Sequence, residues 1–173
     1  RGIVAGSDGN LWFTNAGNNT IGKITTTGTV SNSTSANILG PLAIASGPDG
    51  ALWFTNNGNS SIGRITTTGT VSKYTGAGIS SPSSIVAGPD GALWFTNAGS
   101  DSIGRVTTAG VVSKYTGTGM STPTGIASGA DGALWFTNYG NSSIGRITTA
   151  GSVSNFTGTV IFGPSGITAG PDG

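Results

Sequence analysis

The side chains of this chain that could do chemistry are few and narrow in type. There are six aspartates and seven lysines and arginines, and no glutamate, histidine or cysteine, in 173 residues. Without histidine there is no Ser-His-Asp triad and no imidazole base or metal ligand. Without cysteine there is no disulfide, thiolate nucleophile or thiolate zinc site. A paired-carboxylate mechanism would have to be assembled from scattered aspartates. The charges that are present recur regularly. Asp-Gly pairs begin at Asp8, Asp49, Asp90, Asp131 and Asp172, and Lys23, Arg64, Arg105 and Arg146 keep the same 41-residue step. One carboxylate per turn is too few oxygens for a calcium site, so each pair reads as turn chemistry. One cation and one aspartate per unit read as mutual neutralisation, or as caps on edge carbonyls, rather than as an anion site. The composition therefore points away from catalysis, and no cofactor or metal is expected.

Those charges need elements to carry them, and the same period supplies them. Trp12, Trp53, Trp94 and Trp135 are also 41 residues apart, without insertions. The chain divides into units at about 1–41, 42–82, 83–123 and 124–164, with a partial unit at 165–173, within one region. Residues 42–82 show four strand signals. Leu42 to Ala45 is short and apolar, and Gly47-Pro48-Asp49-Gly50 turns the chain. Ala51 to Thr55 is apolar and aromatic, and Asn57-Gly58-Asn59 turns it again. Ser61 to Thr66 and Thr70 to Tyr74 follow, the last being the most polar. Strands of about five residues joined by Gly-rich turns predict an antiparallel meander. No segment carries the 3.6-residue apolar spacing of a helix. Small sheets that are apolar on both faces near one edge and polar at the other suit blades stacked around an axis. The fold class is all-β, a β-propeller array, in preference to a parallel solenoid. The tryptophans, flanked by Leu and Phe, read as packing between blades rather than as a ring of sugar-stacking platforms.

Charged residues make up 8% of the chain and the formal net charge is +1, against about 25% charged residues in an average domain. No basic run marks a nucleic-acid partner, and no apolar run approaches the roughly 20 residues of a membrane span. The polar surface must be Thr, Ser, Asn and Gly, a composition that predicts an extracellular or secreted protein. Sequons at Asn18, Asn32, Asn59, Asn141 and Asn155 would carry glycans only in a eukaryotic secreted protein. The runs Thr25 to Thr27 and Thr66 to Thr68 read as solvated turns.

The string Gly88-Pro89-Asp90-Gly91-Ala92-Leu93-Trp94-Phe95-Thr96, followed by Ser102-Ile103-Gly104-Arg105, resembles the repeat of the virginiamycin B lyase family. These are streptogramin B lyases, related in blade pattern to the NHL-type propellers. The resemblance runs through every unit. It implies a ring of about seven four-stranded blades, with the Pro-x-Gly-Ile strand nearest the axis. It also implies elimination chemistry that opens a cyclic depsipeptide with the help of magnesium. The family's catalytic histidines stand just before the Gly-Ile of the inner strand, and an acid ends its Trp-Phe-Thr-Glu strand. The first position is filled here by Arg1, Leu42, Ser83, Thr124 and Ser165, and the second by Asn15, Asn56, Asn97 and Asn138. None of these side chains exchanges a proton near pH 7. The resemblance therefore carries the scaffold and not the lyase chemistry.

The chain opens on an inner-strand sequence, Gly2 to Ala5, and closes on another, Gly166 to Ala169. That pattern predicts further blades or self-association. The expected role is a non-catalytic extracellular binding or scaffolding module. A ligand or protein partner would meet the inter-unit loops Ser33 to Leu39, Thr75 to Ser81, Thr116 to Thr122 and Thr157 to Phe162. Two alternatives stand beside it: a segment of a lyase-like enzyme whose catalytic blades lie outside this chain, and a structural repeat of an extracellular fibre.

Overall fold

A computed structural model of the chain describes residues 1–170, so the Asp-Gly pair at Asp172 lies outside the described residues. The described chain forms four four-stranded antiparallel sheets, each made of consecutive strands. Blade 1 holds β1 (Ile3–Ala5), β2 (Leu11–Asn15), β3 (Thr20–Ile24) and β4 (Val30–Thr34). Blade 2 holds β5 (Pro41–Ser46), β6 (Leu52–Asn56), β7 (Ser61–Ile65) and β8 (Val71–Tyr74). Blade 3 holds β9 (Pro82–Ala87), β10 (Leu93–Asn97), β11 (Ser102–Val106) and β12 (Val112–Tyr115). Blade 4 holds β13 (Pro123–Ser128), β14 (Leu134–Asn138), β15 (Ser143–Ile147) and β16 (Val153–Thr157). The inner strands β1, β5, β9 and β13 neighbour one another in sequence order. The second strands begin and end one residue later than their sequence signal, because the asparagine after Thr55 still pairs, with Ser61. No described helix is long and apolar enough to cross a membrane.

Strand alternation gives each blade two different faces. In blade 2 the leading face carries Ile44, Leu52, Phe54 and Ile65, and it packs on Val4, Trp12 and Ile21 of blade 1's trailing face. The same contact recurs between blades 2 and 3 and between blades 3 and 4. The core thus lies between sheets rather than within one. The Phe54 ring covers Gly63 of the neighbouring strand so closely that a Cβ there would stand 2.1 Å from it. That explains why the third strand of every unit reads Ile-Gly-Arg/Lys.

Trp12, Trp53 and Trp94 are fully buried. Trp135, expected in the same state, is only half-buried, because no blade stacks on its side of blade 4. The terminal inner-strand sequence Gly166 to Ala169 forms no strand among the described residues.

Candidate functional site: the axial wall

The inner strands bring one set of candidate residues together. Arg1, Leu42, Ser83, Thr124 and Ser165 line a single concavity along the inner edges of the four stacked sheets, with Gly2, Ala43, Ser84 and Gly125 behind them. The first four reach this place by the same device. The threonine of the second strand accepts the backbone N–H of its own inner strand: Gly2 to Thr14 and Ala43 to Thr55, both at 3.0 Å, Ser84 to Thr96 at 2.9 Å and Gly125 to Thr137 at 2.8 Å. Its hydroxyl donates to the next blade's axial carbonyl. Thr14 donates to Leu42 at 2.8 Å, Thr55 to Ser83 at 3.1 Å and Thr96 to Thr124 at 2.9 Å. The backbone of the wall is therefore held from both sides, while the side chains of Leu42, Ser83 and Ser165 take no part in hydrogen bonds among the described residues.

The entry to each inner strand is clasped from the preceding blade. The side chain of Asn19 accepts the N–H of Gly40 at 2.8 Å, Ser60 that of Ser81 at 3.1 Å, Asp101 that of Thr122 at 2.6 Å and Ser142 that of Gly163 at 3.1 Å. Both ends of every clasp have positive φ, including the β-branched Thr122 at 45°. The following residues, Pro41, Pro82, Pro123 and Pro164, lead directly into the axial position.

The second set of candidates does not join the first. Asn56, Asn97 and Asn138 are completely buried and brace the loops that enter their own blades. Asn56 accepts the Leu39 N–H at 3.1 Å and donates to the Asn37 carbonyl at 2.9 Å and the Ser61 hydroxyl at 3.1 Å. Asn97 and Asn138 accept from Ser80 and Ser121 in the same way. Asn15 donates to Thr20 and Asn32, as Asn138 does to Ser143 and Asn155. The first three inter-unit loops are thus pinned at their downstream ends by these amides, a role the sequence showed only as a recurring Asn after Trp-Phe-Thr.

The Asp and Arg/Lys pairs form a third repeated unit, away from the axis. Asp49 accepts the Trp53 indole N–H at 3.0 Å through one oxygen and the Arg64 Nε–H at 2.7 Å through the other. Asp90 and Asp131 do the same with Arg105 and Arg146, and Lys23 stands 3.7 Å from Asp8. The cations also lie over the indole rings, Arg64 at 5.9 Å from the Trp53 centroid. Partial burial works to raise the Asp49 pKa, but the Trp53 and Arg64 hydrogen bonds and the Ala51 amide outweigh it and hold it below its ordinary value. Neutralisation of Asp by the recurring cation is one of the two roles the spacing allowed, the other being a cap on edge carbonyls; the indole bond could not be read from spacing. The described residues contain no cluster of three or more metal-ligating side chains.

The model of the virginiamycin B lyase family matches residues 1–173. The chain belongs to that family. It is similar to the catalytically inactive histidine-to-alanine virginiamycin B lyase from Staphylococcus aureus solved with quinupristin, at 40% identity and a TM-score of 0.92, over 98% of this chain and 59% of that one. A structure described as streptogramin B lyase matches at 39% identity and a TM-score of 0.90, over 98% of this chain and 58% of that one. The chain therefore spans less than two thirds of the length of these lyases. A protein of the nidogen/laminin complex shares the fold at 19% identity and a TM-score of 0.81, over 98% of this chain and 68% of that one. No protein with a curated description matches the chain. Membership in the virginiamycin B lyase family agrees with the four stacked sheets and with the wall at the axis.

Proposed function

We propose that these four blades of a virginiamycin B lyase-family propeller act outside the cell as a binding and scaffolding module without acid–base chemistry of their own. The axial wall carries the reading. It presents an arginine, an aliphatic side chain and hydroxyls (Arg1, Leu42, Ser83, Thr124 and Ser165), and none of these takes up or releases a proton near pH 7 in the way elimination requires. The wall offers hydrogen-bonding hydroxyls to a neutral polar ligand, and the inter-blade loops offer a rim to a protein partner. The low charge and the hydroxyl-rich composition support the extracellular placement. The test is to incubate the 173-residue chain with a streptogramin B antibiotic, with and without magnesium, and to follow ring opening by mass while titrating binding by tryptophan fluorescence. Unchanged substrate is expected. Ring opening that survives repurification would overturn the proposal.

A second reading rests on a different observation, the 40% identity to a lyase of which this chain spans 59%. In that reading the four blades build part of the wall of a lyase whose acid and base stand on other blades. Flanking sequence containing Pro-His-Gly-Ile and Trp-Phe-Thr-Glu would favour it, and its absence would favour the first.

A further inference from the structure

Asn57-Gly58 is the single Asn-Gly pair in the chain, and blade 2 alone places an asparagine at this point; blades 1, 3 and 4 have Ala16, Ala98 and Tyr139 there. Asparagine followed by glycine is chemically labile, because no side chain shields the glycine nitrogen from the neighbouring carboxamide carbon. The pair opens the short 3₁₀ turn Asn57–Asn59 between β6 and β7, and three contacts hold it. The Asn57 N–H donates to the Gly40 carbonyl at 3.1 Å and the Gly58 N–H to the Leu39 carbonyl at 3.2 Å. The Asn57 carboxamide donates to the Pro82 carbonyl of blade 3 at 3.3 Å. We propose that Asn57-Gly58 is a latent deamidation site, closed by its seam to the loop at residues 35–40 and opened when that loop lifts, whose product loosens the entry to β9.

The step is attack by the Gly58 backbone nitrogen on Cγ of Asn57. An N–C bond forms, the Cγ–Nδ2 bond breaks, and the amide leaves as ammonia, carrying the Gly58 proton. Water then opens the succinimide ring at either carbonyl and leaves an aspartyl or isoaspartyl residue. The seam blocks each requirement. The attacking N–H is already bonded to Leu39. The helical ψ of a 3₁₀ turn, about −20 to −30°, turns that nitrogen away from the carboxamide before it. The carboxamide itself is held on Pro82. The glycine cannot be exchanged to remove the liability, since a Cβ there would stand 3.1 Å from the Leu39 carbonyl oxygen and 3.2 Å from its Cγ. Closure depends on the loop, which is held by the Gly40 N–H on Asn19 at 2.8 Å and the Leu39 N–H on Asn56 at 3.1 Å. Conversion replaces an amide donor by a carboxylate, which only accepts, opposite the Pro82 carbonyl. Pro82 immediately precedes Ser83 of the axial wall, so the tie is lost where the backbone of that wall enters blade 3.

The test is incubation of the 173-residue chain in mildly alkaline buffer, folded and in denaturant, with peptide mapping by mass. Conversion at Asn57 is expected in the unfolded chain. In the folded chain it should be slower by about tenfold or more, the ratio that an opening free energy of about 1.4 kcal/mol gives. Asn19→Ala removes the acceptor that holds Gly40 and should speed conversion in the folded chain several-fold. Should that variant fail to fold, amide exchange at Gly58 in the parent replaces it, and slow exchange is expected. Asn57→Ala removes the site with the side chain that blades 1 and 3 already use, and Asn57→Asp supplies the product. Asn57→Asp should melt below Asn57→Ala. Equal rates in the folded and unfolded chain, no conversion at Asn57 in either, no gain in Asn19→Ala, free exchange at Gly58, or Asn57→Asp melting at or above Asn57→Ala would each overturn the proposal.

Discussion

Thr55 ties two blades together through one oxygen. Its Oγ1 accepts the Ala43 N–H at 3.0 Å within blade 2 and donates to the Ser83 carbonyl of blade 3 at 3.1 Å. Thr55 itself is fully buried, so neither bond can be replaced by water. Thr55→Val keeps the shape and removes both bonds. It should cost about 1–3 kcal/mol, the penalty for a buried group left unpaired. Thr55→Ser should restore most of that in chemical denaturation, and a Val variant as stable as the parent would remove this bond from the account of stacking.

Trp53 and Trp135 provide a near-matched comparison: each bonds an aspartate and lies under an arginine, with Tyr74 stacked on the first and Phe156 on the second, and only Trp53 is covered by a following blade. Trp53→Ala opens a cavity between blades 2 and 3 and should cost about 3–5 kcal/mol. Trp135→Ala empties a half-open site and should cost clearly less. Equal losses, measured by thermal or denaturant melts, would contradict the burial pattern.

The aspartates give the chain an acid-labile edge. Asp49 and Asp90 are pulled below their ordinary pKa by indole, guanidinium and backbone donors despite the opposing effect of partial burial, and Asp131 chiefly by Arg146. Carboxyls with a depressed folded-state pKa stabilise the fold above the unfolded value of 3.8. That contribution is lost as pH falls through the folded value, because the unfolded chain binds protons first. Stability should therefore drop between about pH 5 and about pH 2, with a shallower slope in Asp90→Asn. Melts across that range check both statements; an unchanged slope in the variant would remove Asp90 from the titration.

The clasp predicts opposite effects at equivalent positions. Thr122 holds φ at 45°, a conformation that Gly40 and Gly163 adopt at the same place in other units. Thr122→Gly exchanges left-handed strain of about 1–2 kcal/mol for added freedom in the unfolded chain, and should gain up to about 1 kcal/mol. Gly40→Ala should lose stability, because its Cβ would stand 2.9 Å from the Gly58 nitrogen. A stabilised Gly40→Ala would refute the strained geometry.

Much of this architecture could be read from the chain alone, and the reasons are local. Leu-Trp-Phe-Thr-Asn recurs in fixed register with turn signals on both sides, so β2, β6, β10 and β14 and their antiparallel partners follow from pattern. The axial set at 1, 42, 83, 124 and 165 was indicated by the resemblance, and the 41-residue unit spaces it evenly. Asn15, Asn56, Asn97 and Asn138 were grouped with that set by resemblance. Their buried bracing role depends on loop carbonyls such as Asn37 and Gly78, 19 residues away in sequence, which no short-range pattern shows. The same applies to the indole bond of Asp49. It arises because the turn at Gly47 to Gly50 folds Asp49 back over the strand that follows. The strand-like tail at Gly166 to Ala169 reads as β because its residues match β1, yet a strand needs a ladder and not only a composition.

The axial backbone is secured by threonine hydroxyls, main-chain groups and the clasps from the preceding blade, so the side chains of Leu42 and Ser83 contribute no hydrogen bond to holding it. Stability and chemistry are uncoupled at those points. A single substitution there can install or erase an acid–base group without dismantling a blade. A family built this way can gain a catalyst from a binder, or lose one, by small steps, with its scaffold indifferent to the change.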